Sequence, residues 1–218
     1  MSILSENQRK ILELLSKERL VAENFYLSGG TALAEFYLHH RLSEDLDFFS
    51  ENEFEAESIS VILKKISKPA DIKSVKHEQS FNRNLFFLEL PDDEIKTEFT
   101  YYPFPRIEIK KKINNLFIDS LLDIAVNKLF TIYQNPRSRD FIDLFFILKE
   151  NQEWSIDDLS KKAQIKFDSV IDPLQLAAQF VKAENLRDQP KMLIKIDNAS
   201  WRNFFKEKAA QLSKSQLI

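Results

Sequence analysis

Two glycines occur in 218 residues, and they are adjacent: Gly29-Gly30. A chain that does without glycine elsewhere uses it here because a Cβ would block either a sharp turn or the close approach of a ligand. Residues 25–27, Phe-Tyr-Leu, read as a short apolar strand before the pair. Residues 31–39 read as a helix after it, with Ala32, Leu33, Phe36 and Tyr37 on one side. The glycines therefore sit at a strand-to-helix junction, and the free N–H groups of such a helix would favour an anion. Downstream comes Asp45-Leu46-Asp47-Phe48-Phe49. On a strand, Asp45 and Asp47 point to one face and Leu46 and Phe48 to the other. A phosphate cradle beside a carboxylate pair predicts metal–nucleotide chemistry.

Composition narrows the setting. Apolar content of 44% and charged content of 30% are those of an ordinary globular chain. With 19 phenylalanines against five tyrosines, the core is expected to be Phe-rich. The chain has no cysteine, which excludes disulfides and thiolate metal sites and fits a reducing cytoplasm. The first residues carry no secretory pattern. No apolar run approaches the length of a membrane span, so no membrane partner is expected. At a net charge of −3, any nucleic-acid contact must be a local basic patch.

Along the chain, residues 5–20 predict a helix, with Ser5 as cap and Gln8 at the capping-box position. Residues 54–66 predict another, stopped by Pro69. Strands are expected over 72–79, 85–90 and 94–101, the last two flanking a Pro91-Asp92-Asp93 turn. On the third, Lys96, Glu98 and Thr100 share a face. Residues 107–109 read as one more strand, and Lys110-Lys111-Lys112 as either a solvated loop or a phosphate contact. From Ser120 onward the pattern is helical. Capping signals stand at Ser120, Ser155 and Asp172-Pro173, and a last helix over 200–212 buries Trp201, Phe204 and Phe205. The expectation is an α+β fold. Residues 1–115 form a mixed sheet flanked by helices, and residues 116–218 an all-helical C-terminal part packed tightly on it.

Two motifs, Gly29-Gly30-Thr-Ala-Leu33 and Arg41-Leu-Ser-Glu-Asp-Leu-Asp47, resemble those of the polymerase-beta-like nucleotidyltransferase superfamily. The finer resemblance is to the AbiEii/AbiGii toxin family of bacterial toxin–antitoxin, abortive-infection systems. Its downstream helix pair is matched by Asp123-Ile-Ala-Val-Asn-Lys128 and Arg137-Ser-Arg-Asp-Phe-Ile-Asp-Leu144. The resemblance implies that residues 1–115 are the nucleotidyltransferase core and that a nucleoside triphosphate (NTP) is the substrate. It also implies two Mg²⁺ ions, a tRNA 3′ end as acceptor and a separately encoded antitoxin as partner.

It implies site roles as well. Asp45, Asp47 and a third carboxylate hold the metal. Glu98, projecting from the strand after the hairpin, takes the third place, and Glu89 is its competitor. Gly29 and Gly30 hold the triphosphate, assisted by Ser28, Thr31, Arg41 and Ser43. Lys128 neutralises phosphate charge, Asp143 joins it in binding the nucleotide, and Asp140 belongs to the same motif. Each has a plainer reading as well: turn and capping residues for Ser28, Thr31 and Ser43, an ion pair with Glu44 for Arg41, a solvated helix face for Lys128, and an ion pair of Arg139 with Asp143. Two rival functions share the site: a small-molecule nucleotidyltransferase, and a binding module that keeps the fold without the reaction. If the three carboxylates converge, like charge predicts at least one raised pKa in the metal-free protein.

Overall fold

The structure is a computed structural model and describes residues 2–109 and 111–214. The chain divides into two compact units. The first comprises residues up to Pro105 together with Ile109–Ser120, and the second Arg106–Glu108 with the chain from Leu121 onward.

In the first unit, helix α1 (Glu6–Ser16) opens with the predicted capping box, in which the Ser5 hydroxyl accepts from the Gln8 N–H. The expected 5–20 helix is two: α1 and α2 (Arg19–Asn24). Strand β1 (Tyr26–Ser28) runs into helix α3 (Gly29–Leu33), which loosens into a π-helical turn over Ala34–Leu38 and stops at His39 in the left-handed region. Strand β2 (Leu46–Ser50) follows, then α4 (Ala56–Ala70), which carries Pro69 inside its last turn rather than ending before it. Strands β3 (Ser74–Ser80), β4 (Arg83–Glu89) and β5 (Glu94–Tyr101) form a meander, and β6 (Lys111–Ile113) and β7 (Leu116–Ile118) a short hairpin.

These strands make one seven-stranded sheet in the order β3-β4-β5-β2-β1-β7-β6. β2 pairs with β5 and β1 with β7 in parallel; the remaining pairs are antiparallel. Period-two burial on β2 sends Leu46, Phe48 and Ser50 inward and leaves Asp47 and Phe49 half-buried. The core is Phe-rich as expected. The Phe48 and Phe99 rings stack at 4.8 Å, and Phe25 and Phe86 meet Phe99 edge-on at 5.2 and 6.0 Å. Such ring pairs add to burial through their quadrupoles.

The second unit is helical: α5 (Leu121–Gln134), α6 (Ser138–Glu150), α7 (Ile156–Phe167), α8 (Pro173–Val181) with a 3-10 turn over Lys182–Glu184, and α9 (Asn198–Lys214). Ser155 caps α7 and Asp172 caps α8, with Pro173 in the first turn. Phe141, Phe180, Trp201 and Phe205 are fully buried together. Phe204, expected in the core, is half-buried.

The units divide after Ser120 rather than after residue 115, because β7 still pairs with β1. The strand expected at 107–109 does not form. The Ile107 and Glu108 N–H groups donate to the Asp123 carboxylate at 2.9 and 3.0 Å, so neither is spent on a ladder. Within the basic run, Lys110 lies outside the described residues. Lys111 and Lys112 open β6 and are exposed, with the Lys112 ammonium 5.3 Å over the Phe117 ring.

Candidate active site

Gly29 carries φ +70°, a conformation that side chains rarely adopt. A Cβ there would stand 2.6 Å from Oδ2 of Asp47. The turn thus presses backbone against the carboxylate of the neighbouring strand, where Ser28 is the register partner of Asp47. Gly30 has an ordinary φ, and the space beside it is filled differently. A Cβ would collide with the Arg41 guanidinium and lie 3.1 Å from the Ser43 hydroxyl. Arg41 is 3% exposed and donates to the Leu42 carbonyl at 2.9 Å. So Arg41 and Ser43 gather at the Gly-Gly turn.

The hydroxyls beside the glycines face inward. Ser28 donates to the buried Asp119 carboxylate at 2.6 Å, and Thr31 donates to the Asp45 carbonyl. Asp119 gave no signal in the sequence; it also offers its carbonyl to the Tyr37 hydroxyl at 2.7 Å. Gln8 holds the loop before Asp45 through the Ser43 and Glu44 carbonyls, each at 2.9 Å.

Across the parallel β2–β5 pair, Asp47 stands in register with Glu98. Glu89, the competitor, is exposed at the outer end of β4 and accepts from the Ser74 hydroxyl. Two cations meet the acids. Lys96 reaches Asp45 at 3.0 Å. Arg83 clamps Glu98 with Nε and Nη2 at 2.6 and 2.5 Å, and the Thr100 hydroxyl adds a third bond at 2.7 Å. Burial pushes the Glu98 carboxyl up, but the bonds from Arg83 and Thr100 and the two positive charges outweigh it and hold the carboxyl below its usual range. The expected upward shift is therefore reversed at Glu98, because Arg83 supplies the charge that repulsion would otherwise leave uncompensated. Glu98 in turn raises the Arg83 pKa.

Lys96 was legible two residues from Glu98 on the same strand face. Arg83 was not, because β4 starts two residues earlier than the pattern indicates. Its register partner is Thr100, which makes Glu98 a diagonal neighbour within reach of a long side chain. Among the described residues, no group of three or more acidic or histidine side chains is arranged to hold a metal ion. Asp45 and Glu98 are turned to Lys96 and Arg83 instead. The donors are still the hard oxygens that Mg²⁺ takes, and the cations drawn to them mark the place as one that attracts positive charge.

In the helical unit, Lys128 is 8% exposed, so the solvated-face reading fails. Its ammonium lies 2.7 Å from both Asp140 and Asp143. Asp140 also takes the Arg137 guanidinium at 2.8 Å. Burial raises the Asp140 carboxyl, and Lys128 with Arg137 overcomes this and holds it low. Asp143 is fully buried. Asp123 is buried too, bound to the Lys166 ammonium at 2.7 Å besides the two N–H groups of the 107–108 segment.

Gly30→Val is expected to dislodge Arg41 and weaken nucleotide binding, with the fold retained. Gly29→Val should do the same and also lower stability by about 1–3 kcal/mol, since a branched side chain is strained at this φ. Thermal melts and equilibrium nucleotide binding test both. Unchanged affinity in both variants would separate the Gly-Gly turn from the nucleotide.

Comparison with known proteins agrees with this architecture. Crystal structures of JHP933 and of a candidate nucleotidyltransferase, both from Helicobacter pylori, superpose with TM-scores of 0.61 and 0.63. Identity is 21% and 20%; each comparison covers 97% of this chain and 94% or 97% of the other. At such identity the likeness concerns the fold. An uncharacterized protein of Aquifex aeolicus (strain VF5) is 34% identical over 190 residues, covering 85% of this chain and 86% of the relative. The family described as nucleotidyl transferase AbiEii toxin, Type IV TA system, matches residues 13–214. That span takes in the Gly-Gly turn, both strands of the acidic pair and the Lys128 cluster, and the chain belongs to this AbiEii nucleotidyltransferase toxin family.

Proposed function

We propose that the chain transfers a nucleoside monophosphate from an NTP to an acceptor hydroxyl, releasing pyrophosphate. The acceptor we favour is a tRNA 3′ end, and the activity is that of a toxin restrained by a cognate antitoxin. The observation that carries this is the pairing of Asp47 with Glu98 across β2 and β5, with Asp47 pressed on the Gly29 turn.

Mg²⁺ held by Asp45, Asp47 and Glu98 would neutralise the triphosphate and leaving group and acidify the acceptor hydroxyl. The chain's own residues set the stage for this. The Gly29-Gly30 backbone lets a phosphate come close, and Arg41 beside Gly30 offers it positive charge. Glu98, held ionised by Arg83, is suited to holding positive charge rather than to taking a proton. Arg83 and Lys96 keep the acids balanced and oriented before substrate arrives. Within the helical unit, Asp140 and Asp143 fix the Lys128 ammonium, which is that unit's own candidate for a phosphate contact. Positioning and charge carry most of the catalysis in phosphoryl chemistry, so few other groups are required.

Incubation with each labelled NTP, Mg²⁺ and total tRNA tests the reading. The expected result is label on RNA from one preferred nucleotide, with matching pyrophosphate. No transfer and no pyrophosphate with any NTP would overturn it. Pyrophosphate release that requires a small-molecule acceptor in place of RNA would overturn the acceptor alone.

A further inference from the structure

β3 is an edge of the sheet, and all seven of its residues, Ser74–Ser80, are exposed. Natural sheets blunt such edges with proline, bulges, short strands or charged side chains. β3 has no proline and no bulge, and the charges it carries, Lys76 and Glu78, are of opposite sign. It pairs one-to-one with β4 from Ser74 opposite Glu89 to Ser80 opposite Arg83. Its middle is braced: the His77 ring stacks on Phe86 at 4.5 Å and its Nε2 lies 3.1 Å from Oδ1 of the Asn84 side chain. A regularly paired strand at the end of a sheet is a template for another strand on its outer side.

The sequence of this edge says which strand fits. Ser-Val-Lys-His-Glu-Gln-Ser is charge-symmetric about His77. Laid antiparallel on itself with His77 opposite His77, it sets Lys76 of each copy against Glu78 of the other. Val75 then faces Gln79, and Ser74 faces Ser80. Directly opposed charges of unlike sign stabilise a strand pair, and like charges destabilise it. Sliding the pair by one residue on each strand, which keeps the faces matched, sets Lys76 against Lys76 in one direction and Glu78 against Glu78 in the other. One register is therefore favoured and its neighbours are penalised. Within one chain Lys76 and Glu78 pair with each other at 2.6 Å, with side chains 72% and 50% exposed, so the dimer exchanges this exposed pair for two equivalent ones across the seam.

We infer that β3 is a homodimer interface, through which two copies join their sheets by antiparallel pairing centred on His77. The two-fold axis of such a pairing is perpendicular to the sheet, so the contact is self-complementary and closed. Glu78 lies on the ladder that runs through Leu85 and Glu98 to Asp47. The paired charges and the acidic pair of both copies therefore share one face of the joined sheet.

Sedimentation velocity on the full chain, across a micromolar concentration series, tests this. Wild type is expected to dimerise, and more weakly as salt rises. Glu78→Lys, an exposed change that should leave the melt and the circular dichroism intact, is expected to be monomeric where wild type is dimeric. Lys76→Glu combined with Glu78→Lys restores the complementary pattern and should restore the dimer. A wild type that is monomeric throughout overturns the inference. So does a Glu78→Lys variant that still dimerises, because the interface would then lie elsewhere. A double variant that stays monomeric would overturn the His77-centred register.

Discussion

Asp123→Leu is expected to destabilise the helical unit by about 3–5 kcal/mol, the usual cost of removing one partner from a buried ion pair. Asp123 is fully buried, and its partner Lys166 is 3% exposed. The carboxylate accepts from the Lys166 ammonium at 2.7 Å and from the N–H groups of Ile107 and Glu108 at 2.9 and 3.0 Å. Without it, a buried cation and two backbone donors lose this acceptor together. Lys166→Met should cost less, because Asp123 keeps both N–H bonds and methionine fills the stem's volume. Urea melts of the two variants check the order. A loss under about 1 kcal/mol for Asp123→Leu would mean that water reaches the pair.

Acid should show the same interaction. Burial raises the Asp123 carboxyl, and the Lys166 charge and hydrogen bonds overcome that and hold it low. A folded-state pKa below the unfolded one contributes stability that is complete above the unfolded value, near 4, and is lost as pH falls through the folded value. Wild type should therefore weaken steeply below about pH 4. Asp123→Leu, already destabilised, should show a shallower acid limb. Equal acid slopes would assign the acid sensitivity to other carboxylates, with Glu98 and Asp140 the first to test.

Asp47→Asn is expected to abolish nucleotidyl transfer, a loss of about a thousandfold or more. That factor corresponds to about 4 kcal/mol, the scale of charge stabilisation at a metal-assisted phosphoryl centre. Its metal-free stability is the more discriminating measurement. Three carboxylates facing one another alone would relax on losing one, and the variant would melt well above wild type in EDTA. Lys96 and Arg83 already meet Asp45 and Glu98. The gain in EDTA should therefore shrink to roughly 1 kcal/mol or less, as for partly exposed pairs. Added Mg²⁺ with nucleotide should stabilise wild type by mass action and the variant much less. A variant that transfers nucleotide at the wild-type rate would remove Asp47 from the chemistry.

Much of this was legible because it is local. A Gly-Gly pair in a chain with no other glycine announces a backbone that tolerates no Cβ, and Gly29 has the positive φ and the close carboxylate. Period-two alternation over residues 94–101 and Asp-x-Asp ahead of two phenylalanines specify which faces are acid and which are core. Caps at Ser5, Ser155 and Asp172 are contacts over three residues, and all three form. The helical signal past Ser120 is long and periodic, and α5 opens at Leu121.

What the tertiary structure decided are the partners brought from far along the chain. Pairing β2 with β5 in parallel requires a crossover through α4 and the β3–β4 hairpin, and no local pattern encodes its register. That register alone sets Glu98 beside Asp47. Arg83 reaches Glu98 through the β4–β5 register, and Lys166 meets Asp123 across 43 positions. Asp119 takes the Ser28 hydroxyl across 91. Sequence periodicity says which face a charge is on; it does not say which opposite charge the fold will bring to that face. The sequence therefore determined the acids and the turn that make up the proposed site, and the folded sheet decided that cations of the chain's own stand against them.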